Sequence, residues 1–377
     1  MTKSTKGNLV CALFACLALA ACKQKENEPS GNEKDNAADS AERNDNQKAT
    51  RLVVSPDSAD APLAGGTVTV TVASDADWTV ASDQDWCVPS LTSGHGDATL
   101  TLTVAVNPTD TPDTARVTVA ASALRSVAAA ALRRVVTVDR PRKPVTDCQG
   151  NVYPVVKIGD QYWMGENLKC TQYDTESERA GATLTTSDSY VKTPYYVDAR
   201  EATSVYDGVD LSAQLTPALR AKLGLLYNWP AAMGHASEAE TQAQTSDYEG
   251  DRQGICPNGW HVPSRAEWNT LYNYIHDETG TLATAYHLKS TAGWYSDAED
   301  DGNGPDTYGF TALPAGAASG SGNIYNVGVS TLLWTSGAEP SDNSAAYVRW
   351  MDYNVWSMGE SNKGKGVAYS VRCIRND

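Results

Sequence analysis

The sequence has little phenylalanine, little histidine and no clustered positive charge. Of its 377 residues two are Phe and five are His, and the formal net charge is -16. Binding to nucleic-acid phosphates needs grouped Lys and Arg side chains, and no basic stripe occurs, so we expect no nucleic-acid partner. Ten Trp and eighteen Tyr supply the aromatic side chains instead. Their apolar faces and polar tips suit both cores and wet binding surfaces.

The sequence motifs of common catalytic and metal sites are also missing. No GxSxG, GxxxxGK[ST] or HExxH segment occurs, and there is no CxxC pair. The histidines are scattered along the chain rather than spaced as metal ligands. We therefore expect no enzymatic activity and no resident cofactor, with calcium left open at one acidic loop described below.

The apolar run at the amino terminus is too short to cross a bilayer as a stable helix. Two lysines precede the run at 9–21, which ends in the letters LAAC at Cys22. This arrangement resembles a bacterial lipobox and implies a lipoprotein signal peptide over residues 1–21. Acyl chains on Cys22 would then anchor the protein in outer-membrane lipid. An ordinary signal peptide with an incidental cysteine is the alternative.

Residues 22–50 are strongly polar and contain no aromatic side chain. Such a composition cannot bury enough apolar surface to offset its chain entropy, so we predict a disordered tether. Its first letters, CKQKENE, resemble the acidic signals that send Bacteroidetes lipoproteins to the outer face of the cell. That resemblance implies a lipid-anchored protein facing the exterior.

Residues 51–142 contain three strictly alternating segments, at 67–72, 99–104 and 116–119. A period of two with β-branched residues indicates strands with one buried and one wet face. Glycine-rich or Asn-Pro turns separate these segments. Several short strands in one such stretch predict an all-β, immunoglobulin-like sandwich.

The order of features in this stretch resembles the BACON family, immunoglobulin-like modules of Bacteroidetes surface proteins. The resemblance rests on ADWTV at 76–80, DW at 85–86, SGHG at 93–96, VN at 106–107 and ARVTV at 115–119. The alanine-rich stretch 123–132 departs from the short turn of the family, and we expect the last strand at about 134–138. The family name implies carbohydrate binding, but alternation around Trp78 and Trp86 favours core positions. We therefore interpret this domain as a spacer.

Residues 146–377 carry a second ordered series of motifs. It runs through DCQGNVY at 147–153, VVKIG at 155–159, QYWM at 161–164, LYNWPAA at 226–232, YGFTALPAG at 308–316, LWTS at 333–336 and SVRC at 370–373. The series resembles the Fibrobacter succinogenes major paralogous domain and spans essentially the whole segment.

The stretch GICPNGWHVPSRAEW at 254–268 also resembles a segment of the formylglycine-generating enzymes, as VRC at 371–373 resembles their closing segment. This likeness implies an α+β domain with a C-type-lectin-like fold and a disulfide between Cys256 and Cys373. A second bridge is expected between Cys148 and Cys170, which replace the usual Asp and Thr of the major paralogous domain. Cys87 is expected to be a buried apolar side chain.

Ser264 and Glu267 within this stretch have the spacing of a capping box at a helix start. Apolar residues then recur at helical spacing, from Trp268 to Ile275, which indicates a helix with one buried face. We interpret His261 as part of this scaffold. A metal ligand and a catalytic base are the alternatives for this histidine.

Candidate ligand-binding residues follow from aromatic and oxygen-rich stretches in the second domain. They are Trp294, Tyr295, Tyr325, Asp342, Asn343, Trp350 and Tyr353. The sequences EPS at 339–341 and WMD at 350–352 are similar to the sugar–calcium motifs of C-type lectins, with two substituted ligands. Asp300, Asp301 and Asp306 lie in an acidic loop and are candidate calcium ligands, although the spacing is not that of an EF-hand.

These features predict a lipid-anchored surface protein with a tether, a β-sandwich and a recognition domain. The leading hypothesis is a non-catalytic module that binds glycan or another extracellular ligand. The alternative is a structural or adhesive subunit, such as a fimbrial tip or protein-interaction module. A second alternative is an enzyme related to the formylglycine-generating fold, which needs a copper-binding cysteine pair, and only Cys148 and Cys170 remain for that role.

Overall fold

The computed structural model describes residues 51–121, 132–186, 194–202, 205–206, 208–244, 252–297 and 301–376. The predicted signal peptide, Cys22, the tether and Asp300 lie outside these ranges, as does most of the alanine-rich stretch. Within them, no helix is long and apolar enough to span a membrane.

The first domain consists of two antiparallel-rich sheets that face each other. Its strands are β1 (Leu52–Ser55), β2 (Ser58–Asp60), β3 (Gly66–Ser74), β4 (Asp77–Ser82), β5 (Cys87–Pro89), β6 (Ser93–His95), β7 (Ala98–Val104), β8 (Asp113–Ala121) and β9 (Arg133–Arg140). One sheet has the order β1-β3-β7-β5 and the other β2-β9-β8-β4-β6. The alternating valines and leucines of β3, β7 and β8 point into one shared core, as their period predicts.

Trp78 belongs to this core, as the alternation predicts. Its side chain is fully buried and its Nε1 donates to the Gly96 carbonyl at 2.8 Å. Trp86 is only half-buried and is covered by the Arg140 guanidinium, 4.0 Å from the ring centroid. Cys87 is a buried free thiol, and burial raises its pKa. These contacts favour the spacer interpretation over a stacked sugar between the two tryptophans.

The second domain is also sheet-rich, with short helices. Its strands are β10 (Val145–Thr146), β11 (Val152–Tyr153), β12 (Val155–Ile158), β13 (Gln161–Met164), β14 (Thr185–Thr186), β15 (Tyr195–Asp198), β16 (Val205–Tyr206), β17 (Val209–Asp210), β18 (Leu225–Asn228), β19 (Trp260–His261), β20 (Ala317–Ala318), β21 (Ile324–Tyr325), β22 (Ser330–Ala338), β23 (Ala345–Asp352), β24 (Gly359–Gly364), β25 (Ala368–Ser370) and β26 (Ile374–Arg375). Its α-helices are α1 (Pro217–Arg220), α2 (Trp229–Met233), α3 (Glu238–Ala243), α4 (Arg265–Thr279) and α5 (Thr284–Leu288), and a 3₁₀ turn spans Ala199–Glu201.

Two sheets organise this domain. The smaller has the order β12-β13-β26-β19, so the last strand of the chain lies between an early hairpin and the strand before α4. The larger runs β14-β15-β18-β25-β22-β23-β24, with β20 and β21 attached through β25. The chain is therefore two sheet-rich domains, as expected. The finer expectation of a C-type-lectin-like fold stays a prediction.

The predicted capping box starts α4. Ser264 Oγ accepts from the Glu267 amide at 3.2 Å, and Glu267 Oε2 accepts from the Ser264 amide at 2.7 Å. His261 Nε2 lies 2.8 Å from Glu267 Oε1, and its Nδ1 lies 2.8 Å from Asn376 Oδ1. Burial opposes ionisation of Glu267, but His261 and Ser264 outweigh it and lower its pKa. The histidine therefore ties the helix start to the chain terminus, which supports its scaffold interpretation.

The structure contains the predicted Cys256–Cys373 disulfide but not the second predicted bridge. Cys148 and Cys170 are free thiols with their sulfur atoms 3.8 Å apart, and the Cys170 thiol donates to the Gln172 carbonyl. Polar contacts already join the two segments, since Gln149 Oε1 accepts from the Thr171 amide at 2.7 Å. The sequence therefore predicts the contact correctly, whereas the covalent bond is absent from the structure.

Arg372 is buried next to Cys373 of the Cys256–Cys373 disulfide. Its guanidinium donates to Asn167 Oδ1 and to the carbonyls of Met164, Phe310 and Thr311. Burial lowers its pKa to about 9. One side chain thereby joins the β13 end, the 310–311 loop and the last segment of the chain.

Lys365 has the same kind of environment at another loop. Its Nζ donates at 2.9 Å to the carbonyls of Thr241, Gln244 and Asn343 and lies 4.4 Å from the Trp229 ring centroid. Burial lowers its pKa to about 8. A buried charge is tolerated only when its donors are satisfied, so these carbonyls are held around it.

We expect replacement of both Cys256 and Cys373 by Ala to lower the free energy of unfolding by about 2–5 kcal/mol. The bridge spans a sequence separation of 117, so its loss frees a long loop in the unfolded chain. Urea unfolding of the chain without its predicted signal peptide measures the change. Cys148→Ala, at an exposed thiol, is the control. A double variant as stable as this control would contradict the expectation.

Stability should also depend on pH through His235. Its ring is buried edge-on against Trp229, its Nδ1 lies 3.2 Å from Thr241 Oγ1, and burial lowers its pKa from 6.5 to about 4. The unfolded chain therefore takes up a proton that the folded chain excludes. The contribution of the neutral His235 to the free energy of unfolding is fully present above pH 6.5. It is lost as the pH falls from 6.5 to about 4, by up to about 3 kcal/mol.

Urea unfolding between pH 7 and 4.5 checks this expectation. His235→Asn should have a flatter pH dependence of stability than the wild-type protein, whereas Leu282→Ala, which replaces an exposed side chain without an ionisable group, should keep the wild-type slope. Identical slopes for all three proteins would rule out His235 as the source.

Candidate functional site

A cavity of about 480 Å³ opens on one face of the larger sheet. Strands β22, β23 and β24 form successive antiparallel pairs, and β25 with the β20–β21 hairpin closes the side. Its wall includes Tyr325, Ser330, Trp350, Asp352 and Lys363. Two of the predicted ligand-binding residues, Tyr325 and Trp350, therefore lie in one site.

The strand register explains why these side chains converge. Trp350 is paired with Leu332 on one side and Gly359 on the other, and Asp352 is paired with Ser330. Paired residues on neighbouring strands point to the same face, and so do residues two apart on one strand. The register thus places Ser330, Trp350 and Asp352 on the cavity face of the sheet.

Trp350 lies over Gly359 on the next strand. A Cβ atom added at Gly359 would come within 2.1 Å of indole Cε2 and 2.2 Å of Cζ2, so only glycine leaves room for the ring. The indole therefore rests against the backbone of β24 while it lines the cavity. An aromatic ring held in this way offers a fixed apolar surface to a ligand.

The Ser330 hydroxyl is buried in the cavity wall without a hydrogen-bond partner among the described residues. The residue is 5% exposed, and its Oγ makes no hydrogen bond there. An unsatisfied buried hydroxyl costs about 1–3 kcal/mol, so such groups normally have a partner. The residue lines the cavity, so a ligand group that reached this hydroxyl would satisfy it.

The remaining cavity side chains supply charge and hydrogen bonds. Burial raises the pKa of Asp352, while the Tyr353 amide and Lys289 oppose that rise. Lys363 is half-buried on β24, and Tyr325 is 43% exposed at the rim. The cavity thus combines one flat aromatic surface with donors and acceptors of both charges. This composition can orient a small polar ring.

Tyr295 and Tyr353 come together away from the cavity lining. With Tyr206 they form an edge-to-face cluster whose ring centroids are 5.0 to 5.8 Å apart. Each of the three side chains is half-buried. The two predicted residues are thus neighbours, but in a cluster of their own.

The prediction that Trp294 contacts a ligand is wrong. Its side chain is fully buried, its Nε1 donates to the Ala312 carbonyl at 2.9 Å, and Lys289 Nζ lies 4.8 Å from its ring centroid. It packs in the core beneath α4 and α5. Of these two adjacent aromatic residues, Trp294 therefore lies in the core and Tyr295 lies at the surface.

Asp342 and Asn343 lie at the tip of the β22–β23 hairpin, at the opposite end of β23 from Trp350. Asp342 Oδ1 accepts from the Ser344 amide and hydroxyl, and the Asn343 carbonyl accepts from Lys365. About six residues of extended chain separate the two ends, or roughly 20 Å at ~3.3 Å per residue. The two segments similar to lectin motifs therefore do not form one ligand site.

Asp301 and Asp306, the described residues of the predicted calcium site, each bind neighbouring groups of the protein. Asp301 Oδ1 accepts from Ser296 Oγ and from Asn303, while Asp306 accepts from the amide and hydroxyl of Thr311. These bonds occupy the carboxylates locally. In the described ranges no three His, Cys, Asp or Glu side chains form a group that could hold a metal ion.

Ser330, Gly359 and Lys363 belong to this site but are not predicted from the sequence. β22 is buried along almost its whole length, so alternation cannot tell which of its residues face the cavity. The glycine opposite Trp350 was the available signal, because glycine in a strand often marks a close approach by another group.

Comparisons with solved structures give likenesses at low TM-scores. A Bacteroides ovatus GH5 xyloglucanase in complex with a heptasaccharide is 18% identical, with 43% of this chain and 31% of that chain covered and a TM-score of 0.21. A C. elegans MSP family member, WR4, is 16% identical over 24% of this chain and 94% of that chain, at 0.18. The E. coli chaperone DraB is 16% identical over 32% and 70%, at 0.20. Scores at this level do not establish a shared fold. A comparison with curated proteins found no match.

Two families match the sequence itself. Residues 76–128 match BACON, described as a putative N-terminal binding domain. Residues 156–375 match the Fibrobacter succinogenes major domain. Both match the resemblances found in the sequence, in the predicted order. Because the second match covers more than half of the 377 residues, the chain belongs to the Fibrobacter succinogenes major domain family.

Proposed function

We propose that this protein is a lipid-anchored surface protein whose second domain binds a glycan in the cavity at Trp350. The two families indicate an extracellular binding module. The observation that carries the glycan proposal is the pairing of a fixed indole surface with the buried, unpartnered Ser330 hydroxyl. A sugar ring has an apolar face and a hydroxylated edge, and this wall offers a partner for each.

The anchoring part of the proposal rests on the sequence. Acylation of Cys22 would attach the protein to outer-membrane lipid, and the polar tether would hold the two domains away from the surface. The family match at 76–128 fits an extracellular location for the sandwich domain.

We propose no catalytic step for the cavity. An enzyme of the formylglycine-generating type would need a pair of reactive cysteines at its site. Cys148 and Cys170 lie in the amino-terminal part of the domain and do not line the cavity, and burial raises the pKa of both thiols. Raised thiol pKa values disfavour the thiolate that binds metals and attacks substrates.

A glycan array tests the proposal, using the chain without its signal peptide and with Cys22→Ser to prevent acylation. We expect binding to at least one glycan class, and Trp350→Ala should weaken it about tenfold or more, about 1.4 kcal/mol. Ser330→Ala removes the unpartnered hydroxyl without disturbing the fold, so it should weaken binding while leaving thermal stability unchanged or higher.

The matched control is Tyr347→Ala, which removes an aromatic ring from the opposite face of the same strand. It should bind as the wild-type protein does. The array is run with calcium and with a chelator. Absence of binding in both conditions would contradict the glycan proposal and favour a protein partner, as for an adhesive subunit. Wild-type affinity in Trp350→Ala would place the ligand elsewhere.

A further inference from the structure

Five ring side chains form a continuous row on the outside of the second domain, which we call the aromatic strip: Trp356, Tyr286, His287, Tyr308 and Tyr274. Trp356 is 56% exposed and stacks on Tyr286 with centroids 5.2 Å apart and ring planes 16° apart. The row continues from Tyr286 to His287 at 5.5 Å, to Tyr308 at 6.5 Å and to Tyr274 at 6.1 Å. Each of the other four rings is half-buried.

The loop that carries Trp356 is fixed by a buried lysine. Lys289 Nζ donates to the carbonyls of Asp352, Tyr353 and Val355 at 2.6, 3.0 and 3.1 Å. These three acceptors occupy the three donors of an ammonium group. The chain between β23 and β24 is therefore wrapped around one buried charge.

Helix α5 holds the rest of this loop. The Tyr286 amide donates to the Trp356 carbonyl at 3.0 Å, and the Met358 amide donates to Thr284 Oγ1 at 3.1 Å. A large indole is thus displayed to water on a backbone with little freedom. Fixing an exposed ring before binding reduces the entropy lost when a ligand stacks on it.

The same loop connects the aromatic strip to the cavity. Asp352 lines the cavity at the end of β23, and Trp356 follows four residues later. Lys289 binds the carbonyls on the way from one to the other. Because four residues of extended chain span at most about 14 Å, Trp356 lies within that distance of Asp352, on the side of the sheet end that α5 covers.

The chemistry of the aromatic strip fits an uncharged, hydroxylated ligand. Its rings carry phenol, indole and imidazole edges, and Thr307 Oγ1 lies 2.9 Å from His287 Nδ1. Burial raises the pKa of Tyr308, with smaller contributions from Tyr274 and Glu278, so the phenol stays neutral. The nearby Glu278 and the net charge of -16 oppose an anionic chain.

We propose that the aromatic strip is a second carbohydrate-binding surface, which stacks on the sugar rings of a neutral polysaccharide that extends out of the cavity. The inference rests on the proposed function of the cavity and adds the ligand class, a neutral polymer rather than a short or acidic sugar. The exposed Trp356 and the accessible parts of the half-buried rings then contribute contacts that a short oligosaccharide in the cavity does not reach.

The test compares a polymer with its own short fragment. The chain with Cys22→Ser and without the signal peptide is run in native gels that contain soluble xylan, glucomannan, mixed-linkage β-glucan or starch, or the acidic polygalacturonate. Calorimetry then measures binding of a trisaccharide from whichever polymer retards the protein. The variants are Trp356→Ala, Tyr286→Ala, Trp350→Ala and, as control, Leu282→Ala, which removes a 62% exposed side chain without a ring.

We expect at least one neutral polymer to retard the wild-type protein and the Leu282→Ala control equally. Trp356→Ala and Tyr286→Ala should lose about tenfold in polymer affinity and keep the wild-type affinity for the trisaccharide. Trp350→Ala should lose both. Thermal unfolding confirms that each variant is folded, and Trp356→Phe, which keeps a ring, should restore most of the polymer binding if Trp356→Ala is unstable.

The outcomes separate the two proposals. Wild-type polymer affinity in Trp356→Ala and Tyr286→Ala, with a loss in Trp350→Ala, overturns the proposal for the aromatic strip and leaves the cavity as the binding site. A loss of polymer affinity in Trp356→Ala and Tyr286→Ala, with no loss in Trp350→Ala, supports binding at the aromatic strip and overturns the proposal for the cavity. Retardation by polygalacturonate alone, an equal loss in Leu282→Ala, or no retardation of the wild-type protein by any polymer overturns the strip.

Discussion

Buried cations hold the long loops of the second domain, and backbone carbonyl oxygens surround them. Lys289, Lys365 and Arg372 each donate to carbonyls of three residues, far apart in sequence from the cation itself. Burying an ammonium or guanidinium group costs several kcal/mol unless its donors are satisfied. The loops must therefore adopt the one conformation that brings those carbonyls to the charge. These fixed loops give a defined surface to a domain that has short helices and long connections.

This constraint positions the proposed binding surfaces. The strand register places Trp350 and Ser330 on one sheet face, while Lys289 determines where the chain goes after Asp352. Trp356 is consequently displayed at a fixed point beyond the cavity. The bridge between Cys256 and Cys373 and the contacts of His261 secure the segment before α4 and the last strand, β26. Fixed loops with exposed rings suit recognition of a ligand, because little conformational entropy is lost when the ligand binds.

Local rules predicted much of this structure. The capping box at Ser264 and Glu267 depends on four consecutive residues, and the strands of the first domain depend on a period of two, so both could be predicted from the sequence. The Cys256–Cys373 bridge came from the family resemblance. Trp294 was misplaced because burial of a loop aromatic depends on which helices cover it. Ser330 in the cavity wall escaped prediction because β22 is buried along almost its whole length, which removes the alternation that reveals orientation.

Hydrogen–deuterium exchange measured by mass spectrometry tests most directly whether a buried ammonium fixes the loop between β23 and β24. In the wild-type protein, peptides covering residues 352–358 should exchange as slowly as those of β22 and β23. In Lys289→Met the same peptides should exchange much faster, while the half-buried control Lys363→Met should leave them unchanged. Fast exchange of 352–358 in the wild-type protein, or equal protection in Lys289→Met, would contradict the account.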